Sequence, residues 1–101
     1  MTLLNERRRA PRRDKWFALE IGRKPDRRHL AIGVNASSTG ALLGSPRVYD
    51  VGEDLHISFV LGAEDDIGHA RGRVVRILPD AADGPWRHRM AVAFERPVSQ
   101  L

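Results

Sequence analysis

The feature that most constrains the fold of this chain is a regular alternation of apolar residues with polar or small ones. Four stretches show it, and their apolar sets are Phe17, Leu19 and Ile21; Leu30, Ile32 and Val34; Leu55, Ile57, Phe59 and Leu61; and Met90, Val92 and Phe94, with His88 before them. A period of two is typical of strands that bury one face. The sequence therefore predicts a β protein.

Two shorter apolar segments, residues 41–45 and 69–78, raise the number of candidate strands to about six. Between the candidates lie turn-forming clusters rich in Gly, Pro, Ser and Asp, at residues 22–25, 37–40, 44–52, 62–68 and 79–85. No segment predicts a helix. Short strands with this even spacing favour an antiparallel barrel or sandwich.

Charge is distributed unevenly along the 101 residues. Residues 1–28 hold ten Lys or Arg and four Asp or Glu, whereas residues 29–101 hold seven and nine. The basic character therefore belongs to the N-terminal quarter and indicates an anionic partner there. The chain has no cysteine, no signal-peptide pattern and no apolar run of membrane-spanning length, so we expect a cytoplasmic protein without membrane insertion.

The segment ERRRAPRR, residues 6–13, concentrates five arginines. Pro11 disfavours the α conformation at Ala10, so we expect an extended or turn-like segment leading into the first strand. A solvated basic tail would have the same composition. Arginine is nevertheless the side chain best suited to bidentate binding of phosphate and guanine.

Catalytic and metal-binding patterns are absent from the sequence. The four histidines, His29, His56, His69 and His88, show no ligand spacing with one another or with acids. The segment GVNASSTG at 33–40 lacks the Gly-Lys-Ser/Thr ending of a phosphate loop, and its serines lack a nucleophile setting. We therefore expect a non-enzymatic protein without a metal or cofactor.

Two motifs taken together resemble the PilZ domain family. Arg8-x-x-x-Arg12 stands just before the first strand, and Asn35-x-Ser37-x-x-Gly40 ends the second. The flanking segments ERRRAPR, VGEDLHISFVL, RGRVVRI and MAVAFE are also similar to the family pattern. The resemblance covers residues 5–96.

The resemblance implies an all-β fold, a six-stranded antiparallel barrel, that binds the bacterial second messenger cyclic di-GMP. It divides the chain into a flexible arginine-rich arm, residues 1–13, and a barrel domain, residues 14–101. By position, Arg8 and Arg12 would contact phosphate and guanine. Asn35 and Ser37 would bond guanine or phosphate, and Gly40 would shape the turn.

The remaining arginines leave the register of the first motif open. Arg9-x-x-x-Arg13 has the same spacing. We favour Arg8 and Arg12 because this choice leaves Arg7 before the motif, as in family members that bind a stacked pair of ligand molecules. Two ligands per domain is therefore a further expectation. Ala91 stands where many members have glycine, which would narrow the space near the ligand.

The function implied is a switch in which ligand binding orders the arm and an unidentified protein effector recognises the ordered surface. The target would be a motility, secretion or exopolysaccharide system. One alternative is a small barrel that binds single-stranded nucleic acid, for which the few aromatic residues are unfavourable. The other is a PilZ-like protein–protein adaptor that binds no nucleotide.

Overall fold

The computed structural model describes residues 17–61, 66–81 and 84–98. Six strands lie in these ranges: β1 (Phe17–Lys24), β2 (Arg27–Ser37), β3 (Gly40–Ser45), β4 (Asp54–Leu61), β5 (Asp66–Ile77) and β6 (His88–Phe94). The predicted strands are confirmed, with ends displaced by a few residues. No helix among the described residues is long and apolar enough to span a bilayer.

The strands close into an antiparallel barrel in the order β1-β2-β3-β6-β5-β4. Closure is made by two non-sequential pairs, β3 with β6 and β1 with β4. Because each described strand has two neighbours, no strand edge is left for another chain to pair with. Of the two architectures that the turn spacing allowed, the structure is the barrel.

The barrel interior is filled by the alternating apolar side chains. The buried core comprises Leu19, Ile21, Ala31, Leu43, Tyr49, Leu55, Ile57, Phe59, Val74, Met90 and Val92. Each large apolar side chain taken out of water contributes about 1.5–3 kcal/mol to stability. The predicted inward faces of the first, fourth and sixth strands are therefore confirmed.

Strand β2 departs from the predicted pattern, because its inward face carries Ala31 rather than Leu30. Ala31 is fully buried and pairs with Leu19, whereas Leu30 is 52% exposed and pairs with Glu20 on the outer face. Leu19, the pairing partner of Ala31, is itself large and only 4% exposed, so the interior at this level already holds a leucine side chain. A small residue therefore fits where a leucine would overpack the core.

Tyr49 lies in the connection between β3 and β4 and is only 4% exposed. Its hydroxyl lies 2.6 Å from His29 Nε2, and the two rings stack with centroids 5.9 Å apart. The Arg23 guanidinium lies 4.5 Å from the centre of the tyrosine ring. Arg23 also forms a bidentate ion pair with Glu53. These contacts hold the β3–β4 connection against β1 and β2.

Candidate ligand-binding site

The three residues of the second motif lie at the junction of β2 and β3. Asn35 and Ser37 belong to the end of β2, and Gly40 begins β3. The arginines of the first motif and its neighbours lie outside the described residues; they are Arg7, Arg8, Arg9, Arg12 and Arg13. The described residues therefore include only the barrel half of the predicted site.

The register of the sheet brings residues of four strands into two rows on its outer face. In one row, Asn35 pairs with Leu42, Leu42 with Ala91, and Ala91 with Arg76. In the adjacent row, Ser37 pairs with Gly40, Gly40 with Ala93, and Ala93 with Arg73. The small residues in the middle of both rows leave space between the polar residues at their ends.

Ser37 and Gly40 give the turn between β2 and β3 its shape. The Thr39 backbone N–H donates to Ser37 Oγ over 3.3 Å, and the two hydroxyls lie 3.2 Å apart. A Cβ atom on Gly40 would lie 2.6 Å from the Val92 carbonyl oxygen. This close approach to β6 requires glycine, since neither backbone can move without breaking the β3–β6 pairing.

A depression of about 260 Å³ lies over these rows. It is bordered by Asn35, Ser37, Thr39, Gly40, Leu42, Arg76, Leu78 and Ala91 among others. The structure thus brings Asn35, Ser37 and Gly40 together around one opening, with Ala91 in its lining. Volumes of about 300–1,000 Å³ are usual for small-molecule sites, so the described residues form only part of an enclosure.

Arg76 is the lining residue that the sequence analysis missed. Strict alternation along β5 would place Arg76 on the same face as the buried Val74. A bulge between Val74 and Arg76 shifts the register, so that Val74 faces Val92 inside and Arg76 pairs with Ala91 outside. A one-residue bulge reverses every side chain beyond it, and no signal in RGRVVRI marks its position.

Arg76 is exposed, and it makes no hydrogen bond or ion pair with another described residue. Arg73 differs from Arg76 in having an acidic partner. Its Nε donates to Asp54 Oδ1 over 3.0 Å, and this hydrogen bond raises the pKa of Arg73. The depression therefore carries a cation whose charge the described part of the barrel does not neutralise. Within the same residues there is no group of three or more His, Asp or Glu that could hold a metal.

The start of β1 pairs with β2 close to Asn35. Phe17, its first residue, pairs with Gly33, two residues before Asn35. A Cβ atom on Gly33 would lie 2.2 Å from the Phe17 ring, so glycine allows this ring to lie over β2. The first described residue of β1 therefore lies across the β1–β2 pair from a position two residues before Asn35.

Comparison with known proteins gives the same fold and a family. The structure of the Bacillus subtilis inhibitor of motility (MotI/DgrA) superposes with a TM-score of 0.70 at 19% sequence identity, covering 91% of this chain and 44% of that one. This chain therefore spans less than half of that protein, and at such identity the likeness concerns the fold. No curated protein matches the sequence. The PilZ domain family matches residues 6–100, nearly the whole chain, and the protein therefore belongs to the PilZ domain family.

Proposed function

We propose that this protein is a non-enzymatic receptor for cyclic di-GMP. Arg8 and Arg12 close over the depression, and Asn35 and Ser37 bond the guanine base or an adjacent phosphate. Gly40 holds the turn against β6. Arg7 adds a contact that favours a second, stacked ligand molecule.

The observation that carries the proposal is the attachment point of the arginine segment. Arg12 precedes Phe17 by five residues, and Arg8 by nine. Extended chain spans at most about 3.3–3.6 Å per residue, so the Cα atoms of these arginines can lie up to about 17 Å and 30 Å from that of Phe17. Gly33, the partner of Phe17, lies within about 7 Å of Asn35 along the strand. Both arginines can therefore reach the depression.

The chemistry of the residues suits this ligand. Cyclic di-GMP presents two phosphates and two guanines, and each guanine has O6 and N7 acceptors on one edge. Arginine binds both groups with paired N–H donors and also stacks on the purine face. The depression is shallow for a ligand of this size, so a second wall is needed, and we assign that role to the arginine segment.

Binding would act as a switch, because arginine–phosphate contacts exist only in the liganded state. Residues 6–13 would order against the barrel and replace a basic arm with a neutralised surface. An unidentified protein effector would read that surface in a motility, secretion or polysaccharide system. The inhibitor of motility shares the fold at 19% identity, and this likeness does not select among the three systems.

The main rival, binding of single-stranded nucleic acid, needs aromatic side chains available for base stacking. Phe59 is buried, and Phe17 and Phe94 pack against the core. Tyr49 is held by His29 and Arg23. Four of the five described Phe, Tyr and Trp residues therefore favour a structural role over base stacking, and the fifth, Trp86, is half-buried beside Gly44.

Calorimetric titration of the full chain with cyclic di-GMP tests the proposal. We expect saturable binding that weakens about ten- to hundredfold in Arg8→Ala, Arg12→Ala and Ser37→Ala, since each removes a hydrogen bond to a charged or polar ligand group. Arg87→Ala is the matched control, because Arg87 is exposed and does not border the depression.

The same titration distinguishes the alternatives. Absence of heat with folded wild type contradicts the proposal and favours an adaptor without nucleotide, and titration with single-stranded DNA then tests the rival. A larger loss in Arg9→Ala and Arg13→Ala would assign the clamp to the other register. Saturation at one ligand per chain would contradict the stacked pair.

A further inference from the structure

A second, larger groove lies on the barrel beside the segment that follows β6. Its volume is about 520 Å³. It runs between the tip of the β1–β2 hairpin, the β4–β5 ribbon and the segment that follows β6. Its lining shares no residue with the depression at Asn35, Ser37 and Gly40.

Basic side chains from four parts of the fold meet in this groove. They are Arg28 from β2, His56 from β4, His69 and Arg71 from β5, and Arg96 from the segment after β6. Apolar surface lies between them, contributed by residues that include Pro25, Ile57, Pro97 and Val98. We refer to this surface as the basic groove.

The barrel supplies little negative charge to the basic groove. Arg71 and Arg96 make no side-chain hydrogen bond or ion pair with another described residue, and Arg28 has only a long contact of 3.7 Å to Glu20. His56 lies directly opposite Arg71 across the β4–β5 ladder. This pairing gives Arg71 an imidazole rather than a carboxylate as its cross-strand neighbour, so its charge is left for an external anion.

Glu95 is the only acid among the described residues that line the groove. Its backbone N–H donates to the Arg71 carbonyl over 2.7 Å, and its charge acts on Arg73 as one cause of the raised pKa of that residue. The segment that carries it is also held at its far end, since the Val98 N–H donates to the Ser38 carbonyl over 2.7 Å. The groove therefore has a fixed wall and retains an excess of cations.

We propose that the basic groove binds an extended acidic segment of a partner protein. Carboxylates would pair with Arg71, Arg96 and Arg28, and apolar side chains of the same segment would contact Ile57, Pro97 and Val98. Such a mixed surface suits a peptide that carries both acidic and apolar residues. None of the described residues that line the groove is Phe, Tyr or Trp, so these residues offer a nucleic acid cations without a stacking platform. Because the described strands leave no free edge, recognition relies on side chains rather than strand addition.

The experiment measures fluorescence anisotropy of a fluorescein-labelled synthetic peptide with a repeating Glu-Ser-Leu sequence, titrated with the full chain at low salt. We expect saturable binding that weakens about tenfold or more in Arg71→Glu and in Arg96→Glu, because charge-assisted pairs are lost and a repulsion is added. Arg87→Glu is the matched control, an exposed arginine outside the groove that changes the net charge equally.

Circular dichroism confirms that each variant is folded. Absence of saturable peptide binding by wild type overturns the proposal, as does equal weakening in Arg87→Glu, which would indicate attraction to net charge alone. Tighter binding of labelled oligo-dT than of the peptide, lost in Arg71→Glu, would reassign the groove to nucleic acid. All arms are measured without cyclic di-GMP, so their outcome is independent of the nucleotide site.

Discussion

Two regions of this barrel use arginine in different ways. Where the β3–β4 connection covers the core, Arg23 is paired with an acidic residue of the same chain. Both carboxylate oxygens of Glu53 accept hydrogen bonds from it, and the Tyr49 ring lies beneath its guanidinium. At the depression near the Asn35–Gly40 turn, Arg76 has no acidic partner among the described residues. An arginine paired within the fold stabilises it, whereas one that borders an opening without a partner is available to a ligand.

The electrostatics of the paired region agree with this difference. Hydrogen bonds from Arg23 and from the Asp50 backbone N–H lower the pKa of Glu53, and burial raises the pKa of Tyr49 against the opposing charges of Arg23 and Arg47. Both pKa shifts are thus caused by burial and by residues of the barrel itself. Comparing variants of the two regions should therefore separate effects on folding from effects on ligand binding.

The largest effect on stability is expected from Tyr49→Ala, which removes a ring that is 4% exposed and in contact with the core, His29 and Arg23. We expect a loss of about 3–4 kcal/mol in the free energy of unfolding, measured by urea denaturation. Tyr49→Phe removes only the hydroxyl that lies near His29 and should cost about 1 kcal/mol. Equal losses in the two variants would show that the hydroxyl, not the packing, holds the connection.

A smaller effect, and on binding rather than folding, is expected from Arg76→Ala. If Arg76 contacts cyclic di-GMP, affinity should fall about tenfold, which is the range for one hydrogen bond to a charged group. The urea midpoint should not change, since Arg76 is exposed and makes no hydrogen bond or ion pair with another described residue. This prediction depends on the proposed function. Unchanged affinity in a variant that still binds would exclude Arg76 from the site without affecting the roles of Arg8 and Arg12.

The smallest effect concerns the pH dependence of the Arg23–Glu53 pair. The pKa of Glu53 is lower in the folded protein than its ordinary value of 4.5. The pair therefore contributes its full stability above about pH 4.5, and this contribution disappears as the pH falls through the lower, folded value. Because Arg23 is half exposed, we expect Glu53→Gln to cost at most about 1 kcal/mol at neutral pH.

Urea midpoints of wild type and Glu53→Gln, measured from neutral to acidic pH, should converge in acid. Glu20→Gln is the control, since Glu20 contacts Arg28 at the longer distance of 3.7 Å and should show a smaller difference. A difference between wild type and Glu53→Gln that persists in acid would mean that the carboxylate charge is not the stabilising feature.

Much of the fold could be predicted from the sequence. The alternation predicted a strand over 54–62, and β4 spans Asp54–Leu61. Glycine, proline and serine clusters marked the connections, because they favour backbone conformations that end strands. The motif Asn35-x-Ser37-x-x-Gly40 selected three residues that the structure places around one depression, while the roles of Arg8 and Arg12 remain predictions.

Three features could not be predicted. Arg76 reaches the outer face through a bulge, and bulge positions depend on how neighbouring strands pair. Tyr49 lies in a segment with the composition of an exposed turn, and it is buried because the β3–β4 connection crosses the end of the barrel. His56 and Arg71 are 15 residues apart in the chain and become neighbours only through the β4–β5 register.

The amino-acid sequence by itself determined which segments form strands, where they turn, and that the first quarter of the chain carries the excess of positive charge. These properties depend on side-chain period and backbone preference, which act over a few residues. The tertiary structure alone decided which strands meet, which face each residue takes beyond a bulge, and which arginines find a carboxylate. Those outcomes depend on register and barrel closure, because they join residues that are distant in the chain.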